Sequence, residues 1–336
     1  MTPSQSPHSN RALKSRSRAP TNLSIRGLLD ALGLLLGLLS VAALLGRLFW
    51  WLAPWWLDLV SHFVVQYAVV LVAMAFGCLV IGAPRKAMLL AACSLPNLTA
   101  ILPHATFDNP ALDQAQAVLR LVFINVHTEN ARSDQVIALV DTEKPDIVVL
   151  TEVDARWMEE LKPLSAGYPH RIEAPQEDNF GIALWSRIPV ARGEVVWFGE
   201  AGVPSIEADF LHRDRLITLI GTHPVPPVGP AESRLRDRQL AAISARTILL
   251  ERPVVIMGDL NTTPWAPSYR RFCSGGRVKD TFGARGLQAT WPASLRILGI
   301  PLDHCLVSAE FRLVDRRLGP TVGSDHRPLI VDLAWR

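Results

Sequence analysis

Val254-Val255-Ile256-Met257-Gly258-Asp259-Leu260-Asn261-Thr262-Thr263-Pro264-Trp265 is the stretch on which the reading of this chain turns. Four consecutive apolar residues, three of them β-branched, read as a short buried strand. Gly258 ends the run where the backbone must bend closely, and Pro264 terminates the strand. Between them lie a carboxylate and a carboxamide two residues apart. Extended backbone continuing through them predicts Asp259 and Asn261 on one face, with Leu260 on the other. An acid at the open end of a buried strand can take a proton or polarise water. An amide there can donate to an oxyanion without adding charge, so the pair suits chemistry on a phosphate. Taken alone, the plainer reading is a strand-to-turn junction, because Asp and Asn are ordinary turn residues. The rest of the chain has to decide.

Working outward, the same pattern recurs. Residues 119–124 form an apolar run that delivers Asn125. Ser133 is placed to cap a helix running to 143, with Val136, Ile137 and Val140 at helical spacing, and Lys144-Pro145 stops it. Residues 146–150 make the next strand and end in Thr151-Glu152. Strand, helix, strand over this length predicts a crossover unit, with Asn125 and Glu152 at the same sheet edge. Residues 181–186 read as a strand turned by Arg187-Ile188-Pro189. Residues 206–211 and 216–221 flank His212-Arg213-Asp214-Arg215 as a hairpin. Its second arm ends in Thr222-His223, where Pro224, Pro226 and Pro227 break the ladder. A helix over 231–250 leads into the opening stretch. Residues 302–307, carrying Asp303, form a strand, and Asp325-His326 precede a last one over 329–333.

Composition divides the 336 residues unevenly. Residues 1–26 have the polar, basic composition of a disordered tail. Residues 27–104 hold two to three apolar runs of transmembrane character. The first, 28–50, has Asp30 and Arg47 near its ends; the second, 57–81, has only His62 and Gln66 as notable polar residues. The third, 87–102, is shorter and is interrupted by Pro96-Asn97. Trp50, Trp51, Trp55 and Trp56 around Pro54 suit an interfacial loop. The length of the first run and the second run behind it disfavour a cleaved signal peptide. Residues 105–117 read as a linker and 118–336 as a soluble domain. The net charge of +3 is concentrated in the first hundred residues. The near-neutral domain argues against a non-specific grip on nucleic-acid backbone. Cys78, Cys93, Cys273 and Cys305 show no metal-knuckle spacing. A Cys273–Cys305 disulfide stays open, with two buried thiols the simpler expectation. The basic tail and Arg85-Lys86 belong in the cytoplasm by the positive-inside rule, so three spans put the domain outside it and two spans put it inside.

The strand-end residues are then Asn125, Glu152, His223, Asp259 with Asn261, Asp303, and Asp325 with His326. They comprise carboxylates, amides and histidines, with no G-x-S-x-G nucleophile. Their hard oxygens suit Mg2+ or Mn2+ rather than zinc. Six motifs occur in order over 118–336: Ile124-Asn125-Val126, Thr151-Glu152-Val153, Gly221-Thr222-His223, Gly258-Asp259-Leu260-Asn261, Leu302-Asp303-His304 and Gly323-Ser324-Asp325-His326. On these the chain resembles the endonuclease/exonuclease/phosphatase superfamily, and in particular a membrane-tethered bacterial branch of it.

The resemblance implies an α/β fold, a four-layer α-β-β-α sandwich preceded by transmembrane helices in the bacterial inner (plasma) membrane, with the catalytic domain outside the cytoplasm. It implies metal-assisted water attack on a phosphoester. Glu152 is then the main metal ligand with Asn125 beside it, and Asp325 supports the metal. Asp259 positions the water, while Asn261 and His223 donate to phosphate oxygens. Asp303 fixes His326, which binds the phosphate or moves a proton. A lipid headgroup or small phosphoester is favoured over nucleic acid as substrate. The alternative, a non-catalytic membrane scaffold or sensor, has no need of the full acid, amide and histidine set. Arg234, Arg236 and Arg238 could reach a phosphate but read first as a solvated helix face; Trp265 and Trp291 read as loop packing as readily as stacking on a base or touching lipid; and His304 reads as structural.

Overall fold

Residues 25–104, 119–283, 286–295 and 298–336 are described in the computed structural model; the expected linker and all but the last two residues of the basic tail lie outside them. Four apolar helices come first: α1 (Ile25–Leu48), α2 (Trp55–Ser61), α3 (Val64–Val80) and α4 (Pro84–Ile101). The remainder runs β1 (Leu119–Asn125), α5 (Ser133–Glu143), β2 (Ile147–Thr151), α6 (Ala155–Glu160), β3 (His170–Ala174), β4 (Ile182–Ser186), β5 (Val190–Val196), β6 (Ser205–His212) and β7 (Arg215–Thr222). It continues with α7 (Pro230–Leu249), β8 (Val254–Asp259), α8 (Pro267–Ser274), β9 (Val278–Asp280), β10 (Asp303–Ser308), β11 (Phe311–Leu318) and β12 (Leu329–Trp335).

The strands form two six-stranded sheets, ordered β11-β12-β1-β2-β4-β3 and β5-β6-β7-β8-β10-β9. Among the described residues, only β1–β2 and β7–β8 pair in parallel, and the other strand pairings are antiparallel. Period-two alternation sorts the strand residues into layers. Leu121, Phe123, Ile147 and Val149 face Ile206, Leu219, Val255 and Met257 in the core between the sheets. Their neighbours Val122, Ile124, Val148 and Leu150 face outward, onto Val136 and Val140 of α5 and Trp157 of α6. On the far side Ile220, Val254 and Ile256 meet Leu240 and Ile243 of α7 and Tyr269 and Phe272 of α8. The result is the four-layer helix–sheet–sheet–helix sandwich, with its central strands buried on both faces.

Local corrections have local causes. Ser133 is the first residue of α5 rather than its cap, and Arg132 precedes it without a side-chain cap bond. Lys144 closes that helix in the left-handed region (φ 48°), because Pro145 bars another helical turn. The cysteines are free thiols, Cys305 buried and Cys273 half-buried.

Two helices, Ile25–Leu48 and Pro84–His104, are long and apolar enough to cross a membrane. The third run therefore continues through Pro96 as one helix, with Asn97 donating to Ser40 Oγ at 2.8 Å. The second run differs from the expectation. It breaks at His62-Phe63 into α2 and α3, bent by 56°. The chain folds back on itself so that Lys86, at the start of α4, meets Asp30 near the start of α1 at 2.7 Å. The opposite ends meet the sandwich. Trp265 Nε1 donates to His62 O (3.1 Å), Gln66 Nε2 to Leu298 O (2.6 Å) and Arg271 Nη1 to Trp50 O (2.6 Å). Asp58 accepts from Ser268 N at 2.7 Å.

Candidate active site

Register delivers the strand-end residues to one edge. The parallel β1–β2 pair sets Asn125 opposite Thr151, so Glu152 emerges beside Asn125. The antiparallel β8–β10 pair sets Asp303 directly opposite Asp259. The parallel β7–β8 pair sets Thr222 opposite Gly258, which brings His223 to Asp259. A Cβ on Gly258 would stand 1.9 Å from Thr222 O, so this close approach needs glycine.

Beyond the strands the backbone turns sharply. His127, Glu152 and Asn261 all adopt positive φ (59°, 61° and 49°). Left-handed backbone at such residues costs about 1–3 kcal/mol each and is held only by its surroundings. At Asn261 the turn is held by its own N–H, which donates to Asp259 Oδ1 at 2.9 Å. The extended conformation therefore stops at Asp259. Asn261 reaches the site through this turn rather than by strand alternation, and its Nδ2 donates to Pro224 O at 2.8 Å.

Asn125 sits between two acids. Its Nδ2 donates to Glu152 Oε1 (2.8 Å) and lies 3.4 Å from Asp259 Oδ2, while its Oδ1 accepts from His127 N (3.0 Å). Asp259 Oδ2 is 3.6 Å from both His223 Nε2 and His326 Nε2. On its other ring nitrogen, Nδ1, His326 is 3.0 Å from Asp303 Oδ2. Burial disfavours the imidazolium of His326, yet the charges of Asp303 and Asp259 outweigh it and push its pKa up to about 10. Burial raises the pKa of Asp259, and Asp303 adds to this against His326 and His223. Asp325 stands apart. Its half-exposed carboxylate accepts from Trp291 Nε1 (2.9 Å) and lies 3.7 Å from His127 Nδ1.

Glu152, His223, Asp259, Asn261, Asp325 and His326 line a single cavity of about 940 Å³. Asn125 and Asp303 stand behind it, buried against Glu152 and His326. All eight sequence-predicted residues are thus brought to one locality, six in the wall and two in support. Four others escaped the sequence reading. His127 faces Glu152 Oε2 at 3.5 Å. Its only sequence signal is its place two residues after Asn125. Phe180 tilts against His223. Trp291 is a wall residue as well as a loop-packing one. His62 comes from the α2–α3 break. Trp265, by contrast, is buried packing, and His304 is structural, bonded to Asp280 and to Thr262 O.

Two sets of groups have metal-binding chemistry. Asp259, Asp303 and His326 offer ligand atoms within 4.8 Å of one another. His326, however, lies between the two carboxylates and already compensates them. Glu152 Oε2 is buried and has no hydrogen-bond partner. With the His127 ring 3.5 Å away and no hydrogen bond made, that buried carboxylate oxygen is suited to a cation, and the oxygen chemistry of Glu152 and Asp325 fits a hard divalent ion.

A profile described as the Endonuclease/Exonuclease/phosphatase family matches residues 122–326. A comparison with curated proteins returns no match. Among solved structures, an endonuclease/exonuclease/phosphatase from Bacteroides vulgatus aligns with TM-score 0.55 at 20% identity, over 65% of this chain and 99% of that one. Danio rerio TDP2, solved with a single-strand DNA product, aligns with TM-score 0.54 at 18% identity, over 64% and 98%. The human Nocturnin catalytic domain, with bound sulfate, aligns with TM-score 0.53 at 18% identity, over 65% and 94%. At these identities the likeness is one of fold.

Proposed function

Because the chain belongs to the endonuclease/exonuclease/phosphatase family, we propose that it is a membrane-anchored, Mg2+-dependent phosphoesterase. The observation that carries this reading is the convergence on one cavity of a Glu152 oxygen that makes no hydrogen bond, Asp259, and three donor side chains, Asn261, His223 and His326.

Each side chain has a task that its surroundings support. Glu152, with Asp325 nearby, would hold the ion, and Asn125 orients the carboxylates of Glu152 and Asp259 through its NH2 group. A bound Mg2+ would neutralise phosphate charge and polarise the P–O bond. Asp259, flanked by two imidazoles, positions the attacking water and accepts its proton. Asn261 and His223 donate to the non-bridging oxygens, where charge accumulates. His326, held by Asp303, keeps a proton beside the phosphate. The water oxygen bonds to phosphorus, the P–O bond to the leaving alcohol breaks, and a proton ends on that alcohol.

The apolar helices support a membrane anchor. A three-span arrangement agrees with the contacts that put the starts of α1 and α4 at one end and the sandwich at the other. With the Arg85-Lys86 turn cytoplasmic, the sandwich lies outside the cytoplasm of a bacterial cell, and a reporter fused near residue 110 should be active only there. The catalytic reading is tested by hydrolysis of bis(p-nitrophenyl) phosphate by the full chain with Mg2+, and again with EDTA. Mg2+-dependent release of nitrophenol supports it. No release with either Mg2+ or Mn2+ would sink it in favour of a binding scaffold.

A further inference from the structure

One wall of the catalytic cavity is not made by the sandwich. Leu59 of α2, with His62 and Phe63 at the break between α2 and α3, lines the cavity together with the strand-end residues. Leu59 and Phe63 are each 37% exposed, and the neighbouring wall adds Val228, Trp291 and Ile300. We propose that the substrate is a membrane phospholipid, its phosphodiester on the Asp259–His326 side and its glycerol and first acyl methylenes along Leu59, His62 and Phe63. This rests on the reading of the chain as a membrane-anchored phosphoesterase.

Three observations argue for a lipid over the other phosphoesters. The first is charge. Among the described residues, the cavity lining contains no lysine or arginine. Proteins that hold nucleic-acid backbones do so largely by neutralising successive phosphates with those side chains. A single phosphodiester needs only the donors already present.

The second is the apolar wall. A soluble headgroup would leave Leu59, Phe63 and Val228 in water, at about 25 cal/mol per Å² of apolar surface not buried. An acyl chain covers that surface, and α3, the helix that starts next to Phe63, exposes Val69, Val72 and Phe76 along its length. The break in the apolar run thus joins a lipid-like surface to a site for phosphate.

The third is His62. It is 3% exposed and lines the cavity; its Nε2 lies 3.7 Å from Asp58 Oδ2, and its Nδ1 has no hydrogen-bond partner. A buried ring nitrogen without a partner, on an imidazole held by Asp58 through its other side, is a costly arrangement that a ligand oxygen would relieve. The ester and glycerol oxygens next to a lipid phosphate supply that oxygen. The wall is also fixed in place, because His62 O accepts from Trp265 and Asp58, one turn earlier, is bonded to both Arg236 and Ser268.

The test compares the full-length protein in detergent on mixed micelles of dioleoyl phosphatidylglycerol, on bis(p-nitrophenyl) phosphate and on a short single-stranded deoxyoligonucleotide, all with Mg2+. For Leu59→Asn combined with Phe63→Asn, the ratio of kcat/KM on lipid to that on the chromogenic diester should fall about tenfold or more. Phe63→Leu, which keeps the wall apolar, should preserve the ratio. With EDTA present, a phosphatidylglycerol bearing a diazirine on its acyl chain should crosslink within residues 59–76. An unchanged ratio in the double variant, faster turnover of the oligonucleotide than of the lipid, or crosslinks outside this segment would overturn the proposal. Crosslinking at 59–76 with no turnover of any substrate would uphold the lipid site and refute the phosphoesterase reading instead.

Discussion

Asp58 and Arg236 form a buried ion pair between the apolar helices and the sandwich, with 2.7 Å between Oδ2 and Nη2. The guanidinium is fully enclosed. Nη1 donates to Asn261 O at 3.0 Å, and Nε and Nη2 donate to Asp237 Oδ1. Three arginines on this helix face were expected to be solvated. Only Arg236 departs sharply, because α2 covers it and supplies the counter-charge, whereas Arg238 is exposed and paired with Glu200. Removing one partner of a buried pair costs about 3–5 kcal/mol, since the other is left charged and unpaired. Asp58→Ala should therefore lower the unfolding midpoint of the full chain in detergent and slow turnover through the loosened Asn261 turn. Asp58→Leu with Arg236→Met should restore most of the stability. A wild-type midpoint for Asp58→Ala would refute this, and a fragment beginning at 119 should show a similar weakness.

What the sequence reveals follows physical lines. Central strands such as β1, β2, β4, β7, β8 and β12 are buried on both faces, so their apolar runs are unbroken and easily read. The four edge strands, β3, β5, β9 and β11, are not legible in the sequence. They read HRIEA, VARGEVV, VKD and FRLVDRRL, and charged residues on an open edge both protect it and erase the alternating pattern. Within the site, the residues that end strands were legible because an apolar run points at each. The left-handed turns at Glu152 and Asn261 are not: Glu152 has no such preference, and Asn261, a residue that tolerates this conformation, follows an apolar run that predicts continued extension. Arg236 and His62 were illegible for a related reason: each takes its role from a segment far away in the chain.

Gly258 is a simple test of the strand packing beneath the site. A Cβ there would lie 1.9 Å from the Thr222 carbonyl oxygen, a backbone atom that cannot swing aside. Gly258→Ala should destabilise by about 1–3 kcal/mol, as forced overpacking does, and should impair turnover because Asp259 is the next residue. Unchanged denaturant midpoint and activity would mean that β7 and β8 lie farther apart than described.

The proposed donors and acids differ in how much they should matter. Removing a single donor to the transition-state oxyanion typically costs about a hundred- to a thousandfold in kcat, which is the expectation for Asn261→Ala and His223→Ala. Asp259→Ala, Glu152→Ala and His326→Ala should each abolish Mg2+-dependent hydrolysis while leaving the circular dichroism spectrum intact. Normal turnover in these three would refute the assignment.

Asp280 should shape the acid limb of the stability curve. Burial alone would raise its pKa, but the bond to His304 and the charge of Arg316 outweigh burial and hold it below the usual carboxylate value. A depressed folded pKa stabilises the native state above the unfolded pKa of about 3.9, and the benefit is lost as pH falls through the lower folded value. Asp280→Asn should therefore be less stable than wild type at neutral pH, with the gap closing below about pH 4. A constant gap from neutral to acid pH would argue that Asp280 acts through packing alone.

Asn125 separates two roles that residues of its type can play. If its side-chain oxygen bound the ion, Asn125→Asp would strengthen the site. The observed arrangement points the other way, because Oδ1 is taken by His127 N–H and Nδ2 bridges Glu152 and Asp259. An aspartate would lose both donated bonds and set a third negative charge among two carboxylates. Asn125→Asp should thus reduce kcat more than Asn125→Ala does, with the deficit easing as Mg2+ is raised to screen the added charge. Activity equal to or above wild type for Asn125→Asp would instead make Asn125 a ligand through its oxygen.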